Sequence, residues 1–306
     1  MSCTHALAQI PIDLHSHSYY SDGVLSPTEL VQTAYNNGAA LLALTDHDCT
    51  DGLAEAHDYA EALRLPFVKG VEISATWQNT QTLHIVGLGI DPTCPELIQG
   101  LKTVRSGRLM RLKKMHDLFV EHGIEGVYEG ALDYAKNPLL VGRLHIARYL
   151  VKIGLFDTTH QVFRYYLTPG KIGYVPHHWA SLPDVMAWIR HAKGIPVLAH
   201  PSRYGLTAKQ ITELLQTFYA LGGIAIEAGS ARYSVAEIQH YVDYAKQFNL
   251  EVSVGSDFHA PSADGRMVGF SPALPSHAPY VWYRWLPVAS SHNQSNNDDR
   301  IVGHAT

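Results

Sequence analysis

An α/β fold with a mainly helical insertion is what this 306-residue chain predicts. Strand-like and helix-like segments alternate in its first third and again in its last, as βα units around a parallel sheet or barrel do. The segment AALLALT at 39–45 is apolar throughout, as expected of a parallel strand buried on both faces. Between about residues 97 and 173 helical patterns dominate and such runs are missing, so the middle reads as an insertion between two parts of one domain.

The first strand is IPIDL at 10–14. A helix start follows in SPTE at 26–29, with Ser26 at the N-cap, Pro27 at N1 and Glu29 at N3; Gly38 closes that helix. The strand at 39–45 ends in Asp46, His47 and Asp48. Residues 50–63 read as a second helix, FVKGVEIS at 67–74 as a third strand and LHIVGL at 83–88 as a fourth. After the insertion come a helix at 183–193, the strand IPVLAH at 195–200, a helix at 207–221, the strand GIAIE at 223–227, a helix at 234–248 and the strand EVSVGSD at 251–257. The expected division is a first barrel part at 11–96, a basic helical insert capping the substrate at 97–178, a second barrel part at 179–288 and a disordered polar tail at 289–306.

Hydrophobic residues make up 46% and charged residues 17% of the chain, which argues against disordered and fibrous classes. Cys3, Cys49 and Cys94 are far apart and form no C-x-x-C pair, against both a disulfide framework and a thiolate zinc site, so a reducing cytoplasm is the expected compartment. The N-terminus lacks the basic and apolar regions of a signal peptide and no apolar run approaches ~18 residues, so neither export nor a membrane span is expected. Charge is unevenly divided: residues 97–178 hold 12 Lys and Arg against 6 Asp and Glu, within a chain of net charge −5. A basic insert beside an acidic core suits an anionic substrate held against cations, although long surface helices are also basic for solvation alone. Histidine is the outlier, with 19 residues, and its imidazole is the commonest metal ligand.

Polar residues collect where strands end. Asp13, His15 and His17 follow the first strand, with Asp22 in the next loop; Asp46, His47 and Asp48 follow the second; Glu72 lies on the third and His84 on the fourth; His200, Asp257 and His259 come late. In α/β sheets and barrels the C-terminal strand edge is where sites assemble. Taken singly, His84 reads as a core histidine, Asp257 as a helix cap and Ala199-His200-Pro201 as a turn. Taken together, so many buried ionisable groups are costly unless something neutralises them. Two or three divalent ions would, and a set of imidazole nitrogens and carboxylate oxygens without thiolates favours Mn²⁺, with Zn²⁺, Fe²⁺ or Mg²⁺ as alternatives. Alternation along an extended chain puts His15 and His17 on one side and Ser16 on the other. Asp46 and Asp48 read as groups that orient the histidines.

In order stand DLHSH with SDG downstream, ALTDHD, GVEIS, LHIVG, AHP and GSDFH. This series, spread over residues 11–262, resembles the PHP (polymerase and histidinol phosphatase) family of metal-dependent phosphoesterases. The resemblance implies a distorted (β/α)7 PHP barrel, here with an inserted mainly helical subdomain, and a centre of three metal ions. It implies that His15, His17, Glu72 and Asp257 hold one ion, that Glu72 bridges to a second held by His84 and His200, and that Asp22, His47 and His259 hold the third. Within the family the chain is similar to the branch acting on nucleoside 3′,5′-bisphosphates and short RNA, through VGRLHIARYL at 141–150 and GYVPHHW at 173–179. Leu144 stands where that branch usually has Pro, which alters the local turn and leaves Arg143 and His145 in place.

The chemistry expected from this set is attack by a metal-activated hydroxide at the centre formed by His15, His17, Glu72 and Asp257, since bound divalent ions lower the pKa of water to roughly 7. Arg143, His145, Lys171 and Arg203 are the candidates for phosphate contact, each with the alternative of an ordinary surface pairing. Tyr174, His177, His178 and Trp179 either line a nucleotide pocket or pack the insert onto the barrel. No general acid is assigned, and no obligate protein partner or membrane is expected. The rival readings are a phosphomonoesterase for histidinol phosphate or a sugar phosphate, and a non-catalytic module that binds metal and nucleic acid.

Overall fold

Strands β1 (Ile12–Asp13), β2 (Leu41–Leu44), β3 (Phe67–Trp77), β4 (Gln81–Leu88), β6 (Ile195–Leu198), β7 (Ala225–Gly229) and β8 (Glu251–Val254) are hydrogen-bonded in that order, and the short β5 (Ala180–Ser181) joins β3 off this path. The computed structural model describes residues 10–286 apart from 79, 230–232, 262–266, 271, 273 and 276–277; the tail expected at 289–306 lies outside the described residues. Leu14 N–H donates to Val254 O at 3.0 Å and Asp257 N–H to His15 O at 2.8 Å, so the end of β8 returns beside β1 and the sheet is a nearly closed barrel.

Not every strand is parallel. β4 pairs antiparallel with both β3 and β6, whereas β1 with β2, β2 with β3, β6 with β7 and β7 with β8 are parallel. The reason lies in residues 75–82, which are too few for a crossover helix. β3 and β4 run past their expected ends instead, pairing as far as Trp77 with Gln81. This reversal sets the site. His84 lies in the first half of β4, and because that strand runs the other way, its first half reaches the rim where the parallel strands end.

The outer helices begin as their sequences dictate. α1 (Pro27–Asn36) has the expected capping box, Ser26 and Glu29 each satisfying the other's backbone N–H. α2 (Leu53–Leu63) and α3 (Pro95–Arg105) follow, then four shorter or more polar helices, α4 (Arg108–Glu121), α5 (Val127–Leu132), α6 (Arg143–Lys152) and α7 (Thr159–Val162), and finally α8 (Leu182–His191), α9 (Ala208–Ala220) and α10 (Val235–Gln247). Two apolar cores result. The larger joins the strands to α1–α3 and α8–α10 and includes Leu97, Leu101 and Val104, so α3 packs with the barrel although the sequence placed it in the insert. The smaller runs from Leu112 to Leu167 around Phe119, Ile146 and Leu150.

Candidate metal centre

Immediately beyond β1, Ser16 Oγ donates to Ala43 O at 2.7 Å, which turns His15 and His17 to the opposite side. Their Nε2 atoms are 3.1 Å apart. Glu72 Oε2 is 3.2 Å from each, and Asp257 Oδ1 is 3.5 Å from His15 Nε2 and 3.2 Å from His17 Nε2. Four atoms that act as acceptors in their metal-ready forms therefore converge on one point. The other oxygen of Glu72, Oε1, lies 2.9 Å from both His84 Nδ1 and His200 Nε2, and His47 Nδ1 is 2.9 Å from Oε2. Glu72 is fully buried at the centre of five imidazoles. Burial pushes its carboxyl up, but His47, His15 and His84 more than offset this and hold it well below the usual carboxylate range.

Asp22 forms a second focus. Its Oδ1 is 3.2 Å from His259 Nε2, and its Oδ2 is 4.0 Å from His47 Nε2. His259 Nδ1 faces the carbonyl of Asp257 at 2.9 Å, an acceptor only, so Nδ1 carries the proton and Nε2 presents its lone pair. The donor atoms cluster as His15, His17, Glu72 and Asp257; as His17, Asp22, His47 and His259; and as His47, Glu72 and His84. The first set is the expected one, and the second is the expected Asp22, His47 and His259 with His17 added. The third brings His47 rather than His200 together with His84, although His200 meets the same Glu72 oxygen. Glu72 Oε2 and His47 Nδ1, 2.9 Å apart, and Asp22 Oδ1, 3.2 Å from His259 Nε2, are buried without a hydrogen-bond partner. Divalent cations fit such a donor set, because they replace the missing partners and cancel the repulsion.

Backbone strain accompanies the site. His200 (φ 26°), Asp257 (φ 49°) and Asp48 (φ 48°) all adopt left-handed conformations, at a cost of about 1–3 kcal/mol each. The neighbouring carboxylates have other duties than expected. Asp46 accepts from Ser18 N–H, Ser18 Oγ and Ser21 Oγ at 2.6–2.8 Å, and so shapes the loop that carries Asp22. Asp48 accepts from Ser74 N–H and pairs with Arg108. Among the described residues neither side chain is paired with a histidine. Asp13 is likewise structural, taking N–H groups of His15, Ser256 and Gly269 and the hydroxyl of Ser256, and thereby fastening β1 to the end of β8.

Of the four phosphate candidates, Arg143 and His145 stand at the start of α6. Arg143 lines a small recess of ≈ 10 Å³ together with Arg108, Arg111 and Gly142. Arg108 connects this recess to the rim through its pair with Asp48, next in sequence to His47. Burial, with the nearby Arg143 and Arg108, lowers the Arg111 guanidinium to about 9. His145 is fully buried, accepts Gly142 N–H at 3.0 Å, and is pushed down to about 4 by burial. Arg203 pairs with Asp257 through one guanidinium nitrogen and is partly exposed. Lys171 is exposed and makes no ion pair among the described residues. Trp179 sits beneath Arg108 and Arg111, with guanidinium carbons 4.8 and 5.8 Å from its ring, and His177 meets it edge-on at 4.2 Å. Reading the sequence missed Arg108, Arg111 and Glu227. The arginines looked like the solvated face of a basic helix, and only Glu227, a carboxylate closing the apolar strand GIAIE, left a signal that could have been used.

Fold and rim together define an α/β barrel built to hold metal ions. Residues 13–172 match the PHP domain model. The chain is 47% identical over 271 residues to a 3′,5′-nucleoside bisphosphate phosphatase of Chromobacterium violaceum, covering 89% of this chain and 95% of that one. It is 38% identical over 275 residues to the 5′-3′ exoribonuclease Rnm of Escherichia coli, covering 89% and 93%. Among solved structures, an amidohydrolase from Chromobacterium violaceum with bound sulfate superposes with a TM-score of 0.87 at 45% identity, covering 92% of this chain and all of that one. The chain belongs to the PHP domain family.

Proposed function

We propose that this protein is a metal-dependent phosphoesterase that removes the 3′-phosphate of nucleoside 3′,5′-bisphosphates, adenosine 3′,5′-bisphosphate among them, to leave the nucleoside 5′-monophosphate. The same site would release nucleotides one at a time from short 5′-phosphorylated RNA. The observation that carries this reading is the recess of Arg108, Arg111 and Arg143 beside the rim. A single phosphate on the rim would leave that recess unused. Burial and the neighbouring cations lower Arg111 and Arg143, and Arg108 pairs with Asp48, so the recess favours an anion. A nucleotide with phosphates on both sides of its ribose would satisfy both sites. The names of the two relatives support the same substrate class.

In this reading His15, His17, Glu72 and Asp257 would hold one ion, Glu72 with His84 and His200 a second, and Asp22, His47 and His259 a third. Bound divalent ions supply a nucleophile at neutral pH and charge compensation for phosphoryl oxygens, and Mn²⁺ suits the nitrogen and oxygen donors. The chain's own residues do the rest. Arg143 and Arg111 bind and orient the far phosphate, which sets the ribose relative to the rim. Arg108 ties that recess to the strand end through Asp48. His145, kept neutral by burial, bonds the Gly142 N–H and so fixes the entry of α6 that carries Arg143. Cys49 and Cys94 are free and buried, which suits a reducing cytoplasm; among the described residues no helix is long and apolar enough to cross a membrane.

The test is a substrate panel with metal analysis on one preparation. With Mn²⁺ the protein releases phosphate from adenosine 3′,5′-bisphosphate faster than from AMP, histidinol phosphate or a sugar phosphate. No release with any divalent metal, or a preference for histidinol phosphate, would sink the proposal.

A further inference from the structure

Glu227 is a buried carboxylate that none of the roles above uses. It lies on β7 where the pairing with β8 shifts register between Glu227 and Gly229, an irregularity of the kind that re-aims a side chain. Its Oε2 accepts the backbone N–H of His200 at 2.6 Å and lies 3.3 Å from Nδ1 of His15. Only 2% of the residue is exposed, and Oε1 has no hydrogen-bond partner.

The geometry points to Glu227 as a positioning residue for the metal rim, setting the ring of His15 and the backbone of His200 at once. An ionised carboxylate can only accept, so its contact with His15 places the ring proton on Nδ1. That leaves the lone pair on Nε2, the atom that meets Glu72 Oε2 at 3.2 Å and Asp257 Oδ1 at 3.5 Å. Glu227 therefore stands behind the ring, on the side away from the donor set, and acts through His15 rather than as a ligand. Its second bond is made to the residue with φ 26°, a backbone that needs an external partner to hold it. One oxygen thus links a member of the set around His17 and Asp257 to His200 on the other oxygen of Glu72. Gly255 is the counterpart of this arrangement: a Cβ there would lie 2.9 Å from Glu227 Oε1 and would overlap the Cβ of His15.

This inference rests on the metal-centre reading, and its test reads metal rather than turnover. The full chain is stripped with chelator and titrated with MnCl₂ by calorimetry as wild type, Glu227→Gln and Glu227→Ala, and each stripped protein is melted separately. Glu227→Gln keeps the volume and an acceptor for His200 N–H but loses the charge behind His15. The expected result is Mn²⁺ affinity lower by about 10–100-fold, with the melting of the stripped protein close to wild type and a shifted visible spectrum when Co²⁺ is substituted. Wild-type Mn²⁺ affinity in Glu227→Gln overturns the inference. So does a loss of affinity matched by an equal collapse of the stripped protein in both variants, since that is a packing role. A wild-type chain that takes up no Mn²⁺ overturns the metal centre itself, and this inference with it.

Discussion

His177 packs where a Cβ on Gly107 would lie 2.6 Å from its ring, and it meets Trp179 below the guanidiniums of Arg108 and Arg111. Burial first, and then those two cations, push its pKa from 6.5 down to about 4. A ring depressed in the folded state contributes stability that is complete above about pH 6.5 and is lost as the pH falls through 4. Melting temperatures of wild type and His177→Gln between pH 7 and pH 4 should therefore differ most at pH 7 and converge towards pH 4; parallel curves would contradict the account. At this scale the candidate metal-holding residues were the legible part of the sequence, because most of them stand in or just beyond an apolar run. Arg108 and Arg111 of the recess were not, because LKTVRSGRLMRLKK at 101–114 has the composition of a solvated helix and nothing local tells that Arg108 is buried, whereas Arg143 stood in its own motif. The same limit explains Arg203 and Asp48. A sequence names charged groups but does not say which opposite charge each will find.

Two glycines of the polar motifs are required by close approach rather than by turn geometry. A Cβ on Gly23, after Asp22, would overlap the carbonyl of His17, and one on Gly255, before Asp257, would overlap His15. The loop after β1 and the end of β8 can carry their ligands side by side only because these residues lack a side chain. Gly255→Ala should cost about 1–3 kcal/mol of stability and lower the metal bound per chain, as read by thermal melting and elemental analysis; an unchanged melt with full metal content would refute this close-packed closure. The reversed β4 is an instructive miss at the level of elements. The connection at 75–82 was too short for a helix, a cue that strand propensity alone does not register, and LHIVGL at 83–88 was read as a fourth strand with no direction assigned. The helix starts fared better, since the Ser26 and Glu29 box is a local device that tertiary structure left intact.

At the scale of the molecule, a barrel that closes by joining β8 to β1 supplies a rim for cations, and a second small core around Phe119 and Ile146 carries arginines to its edge. The charge division between residues 97–178 and the remainder foreshadowed this pairing, although it did not say which basic residues matter. The central claim is that one phosphate of the substrate lies on the rim and the other in the arginine recess. It is tested most directly by kcat/KM for adenosine 3′,5′-bisphosphate against adenosine 3′-monophosphate, measured with Mn²⁺ in wild type and Arg143→Ala at equal metal content. Loss of one charge-assisted phosphate contact, worth about 1.5–3 kcal/mol, should reduce the bisphosphate value roughly 10–100-fold and leave the monophosphate value nearly unchanged, shrinking the preference. Equal rates on the two substrates in wild type, or a preference that survives Arg143→Ala intact, would contradict the account.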